Sequence, residues 1–67
     1  MKRNPKTVDL EARIRVASGV PADVVLSIVE SKLGKLTVSA PSIGGPFLGD
    51  FESVKNQLTM AVKRHRL

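Results

Sequence analysis

Residues 50 to 66 constrain this chain more than any other stretch. Phe51, Val54, Leu58 and Ala61 with Val62 recur at the i, i+3, i+7 and i+10/i+11 spacing of one apolar helical face. Asp50 stands after Gly49 as an N-cap, Glu52 suits the positive end of the helix dipole, and Lys63, Arg64 and Arg66 suit the negative end. A C-terminal helix over 50 to 66 follows, and the rest of the chain must cover its apolar face.

There are 67 residues to do so, enough for a single domain, with 1 to 6 expected as a basic flexible arm and 7 to 66 as the globular core. Leu, Ile, Val and Phe account for 21 residues, above the roughly 20% below which disorder is the default. The absence of Cys excludes a disulfide, a thiolate metal site and a thiol nucleophile. A domain this small buries only about 60% of its unfolded surface, so a homodimer is the expected further source of stability. No apolar run approaches the roughly 18 residues of a membrane span, and the basic N-terminus leads into no apolar signal core. The expectation is a cytoplasmic protein with no membrane contact.

The net charge of +5 is uneven. Lys2, Arg3 and Lys6 place +3 on residues 1 to 6, and Lys55, Lys63, Arg64 and Arg66 place +4 on residues 55 to 67. Residues 7 to 54 carry −2, four cations against six carboxylates. Attraction to a polyanion must therefore come from the two ends, and Lys2, Arg3, Lys6, Lys63, Arg64 and Arg66 are the candidate phosphate contacts. With no Tyr or Trp, base stacking is poorly supplied, and duplex backbone contact is the better-founded nucleic-acid mode.

A second helix is predicted over 21 to 33, with Pro21 at its first position and Gly34 as its C-cap. Val24, Val25, Ile28, Val29 and Leu33 are too broad a set for one narrow stripe, and Leu26 lies apart from them. Leu26 and Val29 are therefore candidate residues for a dimer or partner interface. Between the helices, Leu36, Val38 and Ala40 alternate before Pro41 and Gly44-Gly45-Pro46 break the pattern, giving short edge strands or a wing over 36 to 48.

Residues 8 to 16 support two readings. Apolar and charged residues alternate at all nine positions, the period of a half-buried strand, and Val8, Ile14 and Val16 are β-branched. Against this, Leu10, Ile14 and Ala17 form a helical stripe, and Asp9 with Arg13 and Glu11 with Arg15 are acid-before-base i, i+4 pairs.

If 10 to 18 is helical, Gly19 and Val20 form a turn between two helices, and Ile14, Gly19, Val20, Val25 and Ile28 fall where a helix-turn-helix needs them. Over about residues 11 to 30 the chain resembles the helix-turn-helix of bacterial and phage DNA-binding regulators. Gly44-Gly45-Pro46-Phe47, followed by Asp50 and the helix bearing Val54 and Leu58, is similar to the wing and following helix of excisionase-like winged-helix proteins of phages and plasmids. The resemblance implies a small α+β fold: a helix-turn-helix at about 10 to 33, a wing at 36 to 48 and the C-terminal helix. It also implies a role in transcription regulation or as a DNA-binding accessory protein. Pro21, Ala22, Asp23, Leu26 and Ser27 would face the major groove, and none reads base edges through paired hydrogen bonds, so affinity is expected from the duplex backbone.

The strand reading gives instead a β-α-β-α chain whose two strands need a partner's edge to complete a dimeric sheet. It suits a protein-interaction module docking on a host protein without nucleic acid. Neither reading supplies an enzyme. His65, the only histidine, sits between two arginines near the chain end, and the six carboxylates form no ligand pattern for a metal. Gly44 to Asp50 lacks the Lys-Ser/Thr that a phosphate loop requires. No catalytic residue, metal or cofactor is expected.

Overall fold

The apolar face at 51 to 62 does form a helix, and it packs on a sheet whose first strand comes from the segment predicted to be the second helix. The computed structural model describes residues 5–66, with the side chains of 7 to 65. Its order is α1 (Pro5–Ser18), β1 (Ser27–Glu30), β2 (Leu36–Ala40), β3 (Gly44–Gly49) and α2 (Phe51–Arg66). The three strands form one antiparallel sheet in the order β1-β2-β3, a small α+β fold.

The helix expected at 21 to 33 is not there, and with it goes the second helix of a helix-turn-helix at 10 to 33. Pro21 closes one turn, in which the Val24 N–H donates to the Pro21 carbonyl at 3.1 Å, and the chain then extends. Val24, Leu26 and Ile28 are buried while Val25, Ser27 and Val29 are exposed, a period of two. The apolar breadth that no single helical stripe could hold is two faces of an extended segment. Its β-branched residues lose little χ1 freedom there. Gly34, expected as a helix C-cap, serves a hairpin: its N–H donates to the Ser31 carbonyl at 3.1 Å, the Ser31 N–H donates to the Lys35 carbonyl at 2.9 Å, and Gly34 has φ +80°. This is a type I turn closed by a left-handed residue, and glycine fills that position without a Cβ penalty.

Residues 8 to 16 are helical, so the strand at 8 to 16 and the β-α-β-α alternative are also corrected. Of the β-branched residues that favour a strand, Val8 and Val16 are 40% and 84% exposed, whereas Ile14 is fully buried on the helical stripe and Leu10 packs beside the core. Arg13 Nε lies 3.6 Å from Asp9 Oδ2 along the helix. The helix ends as the glycine turn predicts: Gly19 has φ +66°, and the Val20 N–H donates to the Arg15 carbonyl at 3.1 Å with Val20 buried, a Schellman closure.

The short strands expected over 36 to 48 form, but β2 is the central strand of the sheet and not an edge, because β1 pairs on its other side. Pro41 lies in the turn that joins β2 to β3, where the Ile43 N–H donates to the Ala40 carbonyl at 2.9 Å, and a bulge interrupts the ladder between Val38 and Ala40. Ile28, Val38 and Phe47 stand opposite one another on the sheet's buried face, and both helices lie against that face through Ile14, Val54, Leu58, Ala61 and Val62. The opposite face carries the row Val29, Thr37 and Leu48. Both outer strands are edges; on β3 the Gln57 Nε2 donates to the Leu48 carbonyl at 2.8 Å, which fixes that strand against α2.

Candidate nucleic-acid interface

α2 is charged oppositely at its two ends, and this polarity organises the surface around it. Asp50 Oδ1 accepts the Ser53 N–H at 2.8 Å at the start, and Glu52 lies 3.2 Å from Lys55 Nζ. The hydrogen bonds from Ser53 hold the Asp50 carboxyl below its ordinary pKa, with Lys35 adding a weaker attraction. Lys63 lies eleven residues beyond Glu52, roughly 16 Å along the axis, and there Lys63, Arg64 and His65 are all exposed. Neither Lys63 nor Arg64 is paired with a carboxylate among the described residues.

Beside this basic end lies a cleft of about 420 Å³. One wall is the turn between β2 and β3, with Ser42, Ile43, Gly44 and Gly45; the opposite wall is Arg64 and His65; Phe47 and Ala61 form the floor. Gly45 is required by close approach, since a Cβ there would lie 3.2 Å from Phe47 Cε2 and 3.3 Å from the Ala40 nitrogen, at φ +120°. A shallower groove of about 350 Å³ adjoins it, lined by Phe47, Asn56, Gln57, Met60 and Arg64. Phe47 and Arg64 belong to both, so the two depressions meet at the Arg64 side chain. No carboxylate lines either of them.

Of the candidate phosphate contacts, Lys63 and Arg64 are thus exposed on the last turns of α2. Lys2 and Arg3 lie outside the described residues, as do the side chains of Lys6 and Arg66. Leu26, expected at an interface, is 5% exposed and belongs to the core, because the strand-like alternation that exposes Val25 turns Leu26 inward. Val29 is 62% exposed on the open face of the sheet. Ser42, Gly44, Gly45 and His65 were not anticipated in the sequence as parts of one site. The paired glycines between Pro41 and Pro46 mark a turn, but nothing local indicates that it faces the end of a helix some twenty residues later.

Among the described residues no three His, Asp or Glu side chains cluster as metal ligands, and no helix is long and apolar enough to cross a membrane. No family model, no curated protein and no solved structure matches the chain.

Proposed function

We propose that this protein is a DNA-binding accessory or regulatory protein that holds the sugar–phosphate backbone of a duplex through the basic end of α2 and the β2–β3 turn beside it. The observation that carries this reading is the exposure of Lys63 and Arg64, neither paired with a carboxylate among the described residues, with Arg64 bordering two depressions lined by no acid. Arg66, Lys2, Arg3 and Lys6 add to the same attraction in sequence terms, with Lys6 in the first turn of α1 rather than in the flexible arm expected over 1 to 6. The lining groups of the adjoining groove, Asn56 and Gln57, are neutral hydrogen-bonding amides that suit sugar and phosphate oxygens. Binding of this kind is governed by counterion release, so it falls steeply with salt.

The test is fluorescence anisotropy of a labelled random duplex at about 50 and about 200 mM salt, where six to ten phosphate contacts would change affinity by about 10³ to 10⁵. Saturable binding that weakens by orders of magnitude supports the proposal. Absence of binding at the lower salt refutes it.

A second reading, self-association, is favoured by one observation. Val25, Val29 and Leu48 are 68%, 62% and 59% exposed, and Val29 and Leu48 flank Thr37 in a single row across the open sheet face. A second copy packing face to face would cover this row, and such a C2 contact is self-complementary. Sedimentation equilibrium with Val29→Lys checks it: a dimer lost in the variant supports this reading, and a monomer at all concentrations in the parent overturns it.

A further inference from the structure

We infer that the cleft between the β2–β3 turn and the end of α2 is a seat for one sugar phosphate, which deepens the proposed duplex binding and rests on it. Three features of the cleft converge on this ligand. The first is charge: Arg64 and His65 stand on one wall, and no carboxylate lines the space. A guanidinium offers a planar fork of donors suited to a phosphate's non-bridging oxygens, and an imidazole N–H adds another donor. The second is the facing wall. Ser42 is exposed, with no partner to its hydroxyl among the described residues, and Gly44 and Gly45 leave the wall without side chains. A Cβ at Gly44 would stand 4.0 Å from Phe47 Cζ, so any larger residue there would rise over the floor of the cleft. A ligand can come close to the main chain at this point.

The third feature is size and floor. At about 420 Å³ the space falls in the range of small-molecule sites and holds far more than a lone oxyanion. Ile43, Phe47 and Ala61 make the remainder apolar, which suits the carbon face of a pentose attached to the phosphate. Arg64 also borders the neighbouring groove, where Asn56 and Gln57 stand beside Phe47 and Met60, so a strand seated in the cleft can continue past the guanidinium along a groove of mixed polar and apolar lining. The phosphate belongs either to an internal phosphodiester or to a strand end; both present the same group to Arg64, His65 and Ser42.

The experiment is a two-dimensional NMR titration of the full chain with ribose 5-phosphate, inorganic phosphate and ribose, followed by blunt DNA duplexes with and without 5′-phosphates. Ribose 5-phosphate is expected to shift the amides of Gly44, Gly45, Arg64 and His65 saturably and more tightly than inorganic phosphate, with ribose causing no change. Arg64→Gln, at an exposed position, should leave the remaining spectrum intact and weaken the sugar phosphate about tenfold, the usual scale for a lost hydrogen bond to a charged group. Shifts that spare residues 42 to 45, or an unchanged affinity in Arg64→Gln, overturn the seat. Duplex binding that leaves the cleft unshifted overturns the seat alone, whereas a cleft that takes the sugar phosphate in a protein that binds no duplex upholds the seat and removes the duplex reading. Equal cleft shifts with both duplexes support the seat with an internal phosphodiester, and shifts seen only with 5′-phosphates support it with a strand end.

Discussion

The Ser18 hydroxyl donates to the Lys55 carbonyl at 3.2 Å, joining the last residue of α1 to the second turn of α2. Ser18 is 6% exposed, and the same carbonyl accepts the Thr59 hydroxyl at 2.8 Å. The contact fixes where the two helices cross, and thereby how α2 lies on the sheet with its basic end beside the β2–β3 turn. Ser18→Ala is expected to cost about 1 kcal/mol, the usual net value of one such bond, with no change in m. Urea unfolding followed by far-ultraviolet circular dichroism measures it, and an unchanged midpoint would show the bond to be idle.

Arg15 is poised differently. Its Nε is buried with no hydrogen-bond partner among the described residues, and Nη2 reaches the Val24 carbonyl only at 3.5 Å. A buried donor left unpaired opposes folding, whereas an arginine's aliphatic stem can cover apolar surface. Arg15→Met, which keeps the stem and removes the donor, should be neutral or stabilising by up to about 1 kcal/mol. A clear loss of stability by thermal melting would show that the guanidinium contributes more than its stem.

Asp50 ties stability to acid. Because hydrogen bonds from Ser53 lower its pKa in the folded state, its contribution is fully present above the ordinary carboxylate value near 3.8 and is lost as pH falls through the lower folded value. Asp50→Asn should retain a side-chain acceptor for the cap yet flatten this part of the pH dependence below about 4. Melting temperatures between pH 2 and 6 for the two proteins check it; parallel curves would contradict the assignment.

The paired removal of Lys63 and Arg64 as glutamines tests the duplex reading through its salt dependence. If each neutralises one phosphate, the slope of log K against log salt should become shallower by about 0.9 per cation, near 1.8 in all, with stability unchanged. A variant with the parent's slope would place the phosphate contacts elsewhere.

Gly45→Ala should damage the fold as well as the cleft. The added Cβ would crowd Phe47 and the Ala40 nitrogen at a φ of +120° that L residues rarely adopt, a strain of about 1 to 3 kcal/mol. Gly34→Asn, in the open β1–β2 turn where a Cβ would meet nothing within 4 Å, should be tolerated much better. Comparable melting temperatures for the two variants would argue against the tight approach at Gly45.

Local chemistry was enough to determine α2, from the spacing of Val54 and Leu58 to the Asp50 cap, and the short strands on either side of Pro41. In each case the decisive partner lies within a few residues, so capping, periodicity and turn chemistry act alone. The tertiary structure decided the rest. Residues 8 to 16 carry both periods, and they settle as a helix because Ile14 has α2 and the sheet to bury against while Val16 is left in water. Residues 24 to 29 are apolar on both sides, and only pairing of Ile28 with Val38 makes the extended form the one that satisfies backbone hydrogen bonds and core together. The candidate site follows the same rule: Gly44, Gly45, Arg64 and His65 come together because α2 folds back across the sheet, a juxtaposition that no local pattern in the chain encodes.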